Sequence, residues 1–237
     1  MGKINILAIG DLHGKSCWQS IPFERYDKII FLGDYVDGFD HSDQEILDNL
    51  QAVIDLKESL PQKVVLLLGN HDVQYLHYPH YGCSGFRSSM QPNLTEVFHR
   101  YRKLFQVAYQ IDRYLFTHAG VSAGWLATFK ASLEVTFREK ELGDLKNMAA
   151  LFNAVEETDH RDILHQVGLK RGGTKDYGGI SWADREELCA SPLMGFHQVV
   201  GHNPVHFIDV VRFDDHTSIT FADVLRYQED YLNLLIE

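Results

Sequence analysis

Two residue types that bind metals stand two positions apart near the start of the chain. Asp11 and His13 lie in the stretch IGDLHGK, directly after an apolar run that ends at Ile9. Aspartate and glycine after a strand are also ordinary turn residues, so this stretch alone does not distinguish a turn from a metal site. Carboxylate and imidazole together form a mixed ligand set that suits Zn, Mn, Fe or Ni. The rest of the sequence must supply the other ligands.

Polar residues of the same kinds follow four further apolar runs. The stretches GDYVDG, GNHD, THAG and GHNP each begin where such a run ends. Six oxygen and nitrogen donors exceed what one catalytic ion with open positions needs, so the set favours two divalent ions. Mn²⁺ is the first expectation, with Fe, Zn or Ni as alternatives. The candidate metal ligands are Asp11, His13, Asp34, Asn70, His118 and His202.

Two neighbouring ions suit phosphoester hydrolysis. At a separation of about 3.5–4 Å they lower the pKa of a shared water, which attacks in line as a bridging hydroxide, and they neutralise charge on the phosphoryl oxygens. The leaving oxygen also needs a proton. His71 is the candidate general acid because it follows Asn70 directly, and Asp37 is the candidate carboxylate that orients its ring.

The residues must be positioned by short apolar strands. We predict strands at Ile4–Ile9, Lys28–Leu32, Val64–Leu68 and Tyr114–Phe116. The first three runs are nearly continuous rather than alternating, which is typical of parallel strands covered by helices on both faces. The carboxyl ends of parallel strands share one edge of a sheet, where ligands bind in α/β proteins. The sequence therefore predicts an α/β fold with the candidate ligands at that edge.

Helices are predicted between and after these strands. A 3.6-residue apolar period runs from Ile46 to Leu60, and a second helix is expected over Leu94–Phe105. Residues 123–168 also favour helix, with a break at Gly143, whereas 171–183 form a glycine-rich loop. Short strands are expected near the carboxyl end. Because no linker interrupts the chain, we predict one domain over residues 1–237 with a helical insertion around 123–170.

Composition excludes several classes of function. The chain has 237 residues and a formal net charge of −11, which disfavours binding to a phosphate backbone, so no nucleic acid is expected. No apolar run approaches the ~20 residues that span a bilayer, so no membrane association is expected. Three widely spaced cysteines favour a reducing compartment. Asp11 interrupts the only early apolar run, so a signal peptide is not predicted. We expect a cytoplasmic protein.

The ordered set GDLHG, GDYVDG, GNHD, HAG and GHNP resembles the calcineurin-like metallophosphoesterases, most closely their phosphoprotein-phosphatase branch. The resemblance runs from residue 6 to about residue 206. It implies an αββα sandwich, with two mixed sheets flanked by helices. It also implies that Asp11 and His13 bind the first metal and that Asp34 bridges. Asn70, His118 and His202 would bind the second metal, and His71 would act as the acid oriented by Asp37.

One departure from the branch concerns phosphate binding. The branch usually reads GDxVDRG, but here Asp37 is followed by Gly38 and Phe39, so the arginine that binds phosphate is missing. An arginine makes bidentate contacts to phosphate, so a replacement is expected. Arg87 is the first candidate because it follows GNHD in a loop with glycine and serine. Arg185 is the second, and Arg171 is a further candidate.

Three functions remain open at the level of sequence. The first is a phosphomonoesterase that acts on a phosphoprotein or a small phosphoester. The second is a dinucleoside-polyphosphate or nucleotide hydrolase, because THAGVSAGW is similar to a segment of the tetraphosphate hydrolases. The third is a scaffold without catalysis, which is disfavoured because the chain retains every ligand and the acid. The sequence gives no prediction of the oligomeric state.

Overall fold

The computed structural model describes residues 2–134 and 147–236, which fall into two compact units. Unit 1 comprises Met1–Gln106, Pro204–Ile208 and Ala222–Glu237, and unit 2 comprises Val107–Asn203 and Asp209–Phe221. The single domain expected from the sequence stays a prediction. None of the described helices combines the length and the apolar character that a membrane-spanning segment needs.

Unit 1 is built on a five-stranded sheet of order β10-β1-β2-β3-β4. The strands β1 to β4 run parallel and β10 is antiparallel to β1, so the sheet is mixed. Its elements are β1 (Ile4–Ile9), β2 (Lys28–Phe31), α1 (Asp43–Ser59), β3 (Val64–Leu67), α2 (Asn70–Leu76), α3 (Gln91–Arg100), β4 (Phe105–Gln106) and β10 (Leu232–Ile236). Three-residue and four-residue 3-10 helices at Cys17–Ser20, Phe23–Arg25 and Arg102–Leu104 complete it.

Unit 2 contains a second mixed sheet, of order β5-β6-β7-β9-β8. The central strands β6, β7 and β9 are parallel, and the outer strands β5 and β8 are antiparallel to their neighbours. Its elements are β5 (Ala108–Ile111), β6 (Tyr114–Thr117), α4 (Ala123–Glu134), α5 (Met148–Glu156), α6 (Arg185–Ala190), β7 (His197–Val200), β8 (Asp209–Asp214) and β9 (Thr217–Phe221). Two mixed sheets flanked by helices confirm the predicted fold class.

Burial explains why the apolar runs form these strands. All four residues of β3 are buried, as are the last three of β2 and the last four of β1. The helix α1 buries Ile46, Leu50, Val53 and Ile54 and begins at Ser42, whose hydroxyl accepts the N–H of Glu45. That serine and glutamate form a capping box, which fixes the start of the helix. The core of unit 1 is therefore apolar on both faces of its parallel strands.

Several predicted boundaries differ from the structure. The second helix ends at Arg100 rather than at Phe105, because Tyr101 leaves the helical conformation and Phe105 pairs with Leu66 as the first residue of β4. The strands β4, β5 and β10 were not expected. Their short or alternating patterns carry a weaker signal than the buried central strands do.

The helical prediction for residues 123–168 is confirmed in part. The helices α4 and α5 lie in this range, but after Glu156 only a 3-10 helix at Arg161–Ile163 follows. Thr158 ends α5, since both its N–H and its hydroxyl donate to the carbonyl of Val155. The expected break at Gly143 lies outside the described residues.

A buried carboxylate joins the loops that follow β2 and β3. Asp72, in the first turn of α2, is fully buried. Its carboxylate accepts the backbone N–H groups of Asp34 at 2.8 Å, Tyr35 at 3.0 Å and Gly69 at 2.8 Å. Because the three donors come from two loops, this side chain fixes the position of one strand end against the next.

We expect Asp72→Ala to lower the free energy of unfolding by about 3–5 kcal/mol, because three buried N–H groups lose a charged acceptor. Urea denaturation followed by circular dichroism measures the change. Asp55→Ala is the matched control, since Asp55 is exposed on α1 and, among the described residues, its carboxylate accepts a hydrogen bond from Gln51 alone. Its effect should stay below about 0.5 kcal/mol. A similar loss in both variants would contradict the role assigned to Asp72.

Candidate metal centre

In unit 1 the predicted ligands lie at the carboxyl ends of three parallel strands. Asp11 and His13 follow β1, Asp34 follows β2, and Asn70 begins the helix after β3. Asp11, Asp34 and Asn70 are buried, and His13 is partly exposed. The register of these strands brings their ends to one edge of the sheet, as the sequence predicts.

His13 has the tautomer that a metal ligand needs. Its Nδ1 lies 2.8 Å from the carbonyl oxygen of Val36. A carbonyl only accepts, so Nδ1 carries the hydrogen and Nε2 keeps its lone pair. That Nε2 lies 3.8 Å from Oδ2 of Asp34. Burial lowers the pKa of His13, which keeps the ring neutral and able to coordinate an ion. The donor chemistry of this pair therefore fits a divalent transition metal.

His71 and Asp37 form the predicted pair. Nδ1 of His71 lies 2.9 Å from Oδ2 of Asp37, which is buried. Asp37 also accepts hydrogen bonds from Gln74 and from the hydroxyl of Tyr75, so its carboxylate is fixed. The backbone N–H of His71 donates to Oδ1 of Asp34 at 2.9 Å, which ties the pair to a predicted ligand.

The electrostatics of His71 favour the protonated ring. Burial by itself lowers the pKa of His71, but the negative charge of Asp34 and the hydrogen bond to Asp37 outweigh it and hold the pKa well above its ordinary value. A protonated imidazole at neutral pH is able to act as a proton donor. The Asp37 carboxylate fixes the orientation of the ring through Nδ1, and a hydrogen bond with the Cys83 thiol also raises the pKa of His71.

Backbone strain is concentrated at the predicted site residues. Among the described residues other than glycine, five have positive φ, and four of these are His13 at 46°, Asp34 at 54°, Asp37 at 63° and His202 at 60°. This conformation costs non-glycine residues on the order of 1–3 kcal/mol and persists where surrounding contacts enforce it. In unit 1 the N–H of His13 donates to the carbonyl of Asp34 at 2.8 Å, which is one such contact.

In unit 2, two histidines occupy the equivalent strand ends. His118 follows β6 and His202 follows the neighbouring parallel strand β7. Nε2 of His118 lies 3.2 Å from Nδ1 of His202, and both side chains are buried. Two ring nitrogens that bind one ion at about 2.1 Å lie roughly 3.0–3.4 Å apart, depending on the coordination angle. The observed separation fits a shared ion.

Gly38 explains why the arginine of the family pattern is missing. A Cβ atom at this position would lie 1.8 Å from the carbonyl oxygen of His13 and 3.1 Å from the ring of His41. No side chain fits there without a shift of the backbone. The segment after Asp37 is therefore packed directly against the loop that carries His13.

The guanidinium of Arg87, the first predicted replacement, holds that same segment. Its Nη1 donates to Oδ1 of Asp43 at 2.6 Å, and its Nη2 donates to the carbonyls of Gly38 and His41. Arg87 therefore anchors residues 38–43. Binding of phosphate by Arg87 stays a prediction.

The second candidate, Arg185, lies in unit 2 at the start of α6. Its guanidinium pairs with the carboxylate of Asp209 and lies over the ring of Phe221, 4.5 Å from the centroid. Arg171 pairs with Asp184 at 2.8 Å and donates to Asn203, the residue after His202. The role of Arg185 in phosphate binding also stays a prediction.

Three polar residues near the unit 1 ligands were not selected from the sequence. Asp72 is the carboxylate that joins the two ligand loops, and its place in GNHD was the only signal for it. Lys15 and Arg226 line a cavity of about 390 Å³ together with Asp11 and His13. Arg226 lies far along the chain from the motifs, so no local pattern indicates it.

Comparison with known proteins decides the family. The family model described as calcineurin-like phosphoesterase matches residues 4–223, which is most of the chain. The chain belongs to the calcineurin-like phosphoesterase family. As a member it is a metal-dependent phosphoesterase, which confirms the predicted family and the predicted type of enzyme. Members of this family use divalent metal ions. Two clusters in this chain contain suitable ligands, one formed by His13 and Asp34 and the other by His118 and His202.

One solved structure supports this fold, and a second is reported for its similarity alone. A cold-active protein-tyrosine phosphatase from a psychrophilic Shewanella species is 16% identical, with a TM-score of 0.58 over 94% of this chain and 72% of that chain. A protein serine/threonine phosphatase from Saccharomyces cerevisiae, with similarity to human phosphatase PP5, is 17% identical, with a TM-score of 0.45 over 92% of this chain and 67% of that chain. No curated protein sequence matches the chain.

We expect metal to stabilise the protein and Asp34→Asn to remove much of that effect. A ligand at 100 times its dissociation constant stabilises the folded state by about 2.7 kcal/mol. Differential scanning calorimetry of chelator-treated protein with and without Mn²⁺ measures the shift in Tm. Asparagine still offers an acceptor to the N–H of His71, so the fold should persist. Asp55→Asn is the control, and an unchanged shift in Asp34→Asn would remove Asp34 from the ligand set.

Proposed function

We propose that the enzyme is a phosphomonoesterase of the phosphoprotein-phosphatase type that uses two divalent ions. Mn²⁺ is the first candidate for these ions. The observation that carries this proposal is the His71–Asp37 pair, held at 2.9 Å and tied through Asp34 to the ligand loops. A proton donor beside metal ligands is what the cleavage of an ester with a poor leaving group requires. The substrate is a small phosphoester or a phosphoprotein.

Six residues are proposed to hold the two ions. The family resemblance supports this assignment, and so do the neutral tautomer of His13 and the spacing of the two unit 2 histidines. When bound, the ions supply a hydroxide nucleophile at neutral pH and offset the charge on the phosphoryl oxygens. The proposed ligands are Asp11, His13, Asp34, Asn70, His118 and His202.

His71 holds the proton that the leaving oxygen takes. Its Nδ1–H is held by Asp37, so Nε2–H remains to donate. Asp37 stays charged and stabilises the protonated ring until the transfer. A buried carboxylate that orients a protonated imidazole beside the proposed metal ligands supports catalysis over a scaffold without catalysis.

A cytoplasmic location is part of the proposal. The cysteines Cys17, Cys83 and Cys189 are all free thiols, which fits a reducing compartment. The formal net charge of −11 supports a partner other than nucleic acid.

We expect His71→Asn to lower kcat by ~10²–10⁴ on an alkyl phosphate, because the leaving alkoxide then lacks a proton donor. The loss should be smaller on p-nitrophenyl phosphate, whose leaving group needs little protonation. Steady-state kinetics on both substrates measures the difference.

The raised pKa of His71 also fixes the sign of the pH dependence. Wild-type turnover of the alkyl phosphate should fall as pH rises through that pKa, and the variant should lose this limb. Equal losses on both substrates would count against the acid role.

Arg87→Ala separates phosphate binding from the anchoring of residues 38–43. If Arg87 binds phosphate, kcat/KM should fall by ~10-fold or more, and lysine should rescue only in part. Asp43→Asn is the matched variant, because it removes the ion-pair partner and leaves the arginine in place. We expect it to change kcat/KM by less than about threefold.

The outcomes of that comparison are distinct. Equal losses in Arg87→Ala and Asp43→Asn would assign Arg87 to anchoring alone. If Arg87→Ala leaves kcat/KM unchanged and Arg185→Ala lowers it strongly, phosphate binding is assigned to Arg185. Metal content, measured by atomic absorption, should be unchanged in all three variants.

A further inference from the structure

A buried network of three polar side chains lies in unit 2, outside the set of residues assigned to the reaction. Glu156 ends α5, His165 follows the 3-10 helix after it, and Ser181 lies in the loop before α6. Nε2 of His165 lies 2.7 Å from Oε2 of Glu156, and its Nδ1 lies 3.0 Å from the hydroxyl oxygen of Ser181. At most 3% of each residue is exposed. A buried polar network whose members have partners makes the interior around it rigid.

The order serine, histidine, carboxylate is also that of a catalytic triad, but this network does not act as one. Only 1% of Ser181 is exposed, so its hydroxyl has no access to a substrate. That hydroxyl also donates to the carbonyl of Leu164 at 3.5 Å. The network therefore serves to hold together the two segments that it joins.

The segment that carries His165 packs directly against the segment that carries Ser181. The backbone N–H of Gly179 donates to the carbonyl of Gln166 at 2.9 Å, and the N–H of Ser181 donates to the carbonyl of Leu164 at 3.5 Å. A Cβ atom on Gly179 would lie 2.2 Å from the carbonyl oxygen of Leu164, so this close approach requires glycine. The hydrogen bond between His165 and Ser181 therefore joins two backbones that are already in contact.

On one side of Ser181 the chain is bonded to the loop that carries His118. The carbonyl of Ile180 accepts the N–H of Ala119 at 2.8 Å, and Ala119 directly follows His118. Both Ile180 and Ala119 are buried, so this hydrogen bond is protected from water. A shift of Ser181 therefore moves the carbonyl that holds the His118 loop.

On the other side of this serine the chain contacts the second histidine of unit 2. The ring of Trp182 meets the ring of His202 edge to face, with the centroids 5.5 Å apart and an interplanar angle of 78°. The carbonyl of Ala183 accepts from Nδ2 of Asn203, the residue after His202, at 3.2 Å. Residues 180–183 are therefore in contact with both loops that carry the histidines.

The spacing of the two histidines leaves little room for movement. Nε2 of His118 lies 3.2 Å from Nδ1 of His202, and metal–nitrogen distances deviate by only about 0.2 Å from their usual value. The N–H of Gly201 donates to the carbonyl of His118 at 2.8 Å, which couples the two loops directly. A buried support that fixes residues 180–183 therefore helps to keep this spacing.

We propose that the network of Glu156, His165 and Ser181 holds the two histidines of unit 2 at the spacing that a shared ion needs, with His165 as the positioning residue. This inference rests on the proposed function, which assigns His118 and His202 as metal ligands. The network acts without contact to the ion or the substrate. The backbone of residues 180–183 transmits its effect to the histidines.

Ser181→Ala tests the network with the smallest change, since only a hydroxyl is lost. We expect it to weaken the binding of one of the two Mn²⁺ ions by ~10-fold, the low end of what the loss of a group supporting a metal ligand costs. Calorimetric titration of chelator-treated protein with Mn²⁺ measures the affinity. Ser218→Ala is the matched control, because the buried Ser218 lies 2.8 Å from Nδ1 of His197, at the end of β7 remote from His202. This control should leave both affinities unchanged.

Urea denaturation without metal separates a loss of stability from a loss of positioning. Both serine variants should lower the free energy of unfolding by similar amounts, since each removes the partner of one histidine nitrogen. A loss of stability in Ser181→Ala with unchanged affinity for Mn²⁺ would show a purely structural role and overturn the inference.

His165→Gln tests the centre of the network. It should weaken the same ion as Ser181→Ala does. The double variant should show no further loss, because both changes break one chain of contacts. Additive losses would mean that the two side chains act separately, which would overturn the role of His165.

The imidazole resonances of His118 and His202 give a readout that needs no metal. In isotope-labelled, metal-free protein, we expect Ser181→Ala to shift these resonances in heteronuclear NMR spectra and Ser218→Ala to leave them unchanged. Unshifted resonances in Ser181→Ala would overturn the inference and leave the proposed function intact. Shifted resonances in a protein that binds no Mn²⁺ would overturn the proposed function and keep the network as the support of these two side chains.

Discussion

The carboxylate of Asp72 is the contact on which the unit 1 part of the site depends. It accepts N–H groups from the loop after β2, at Asp34 and Tyr35, and from Gly69 at the end of β3. One strand end cannot slide against the other without breaking a buried hydrogen bond to a charged group, which is among the costlier losses in a protein interior. His71 and its partner Asp37 lie in the same two loops. The distance between them therefore depends on the hydrogen bonds that Asp72 makes to these loops.

The ligand loops are held in conformations that their residues would not adopt alone. His13, Asp34, Asp37 and His202 have left-handed backbone angles, which non-glycine residues avoid. In unit 1 the cost is offset by hydrogen bonds between the loops and by the packing of Gly38 against the His13 carbonyl. The result is a set of polar side chains presented at a sheet edge at fixed angles. A looser loop would place the same residue types there with less precision, at a loss of affinity for an ion with strict distance requirements.

The departure from the family pattern at Gly38 is linked to the anchoring of the segment that follows it. Because Gly38 has no room for a side chain, the arginine expected there is replaced by a backbone contact, and Arg87 binds that backbone from another loop. The next residue, Phe39, is left exposed beside the cavity that Lys15 and Arg226 line. The same backbone approach that leaves no room for a side chain at Gly38 thus leaves the ring of Phe39 exposed at this cavity.

The sequence by itself determined which residue types end the central strands. Continuous apolar runs such as Val64–Leu67 can be buried on both faces only in a covered sheet, so an α/β fold and the candidate ligands that follow these runs were predictable from local pattern. The two-sheet sandwich was implied by the family resemblance. The end of α3 at Arg100 was not, because Phe105 is as apolar as a helix residue and is drawn into β4 by pairing with Leu66. Only the tertiary structure decided what Asp72, Arg87 and Arg226 contact. The partner of a polar side chain depends on which distant segments of the chain pack against it, and the periodicity of apolar residues does not predict these long-range contacts.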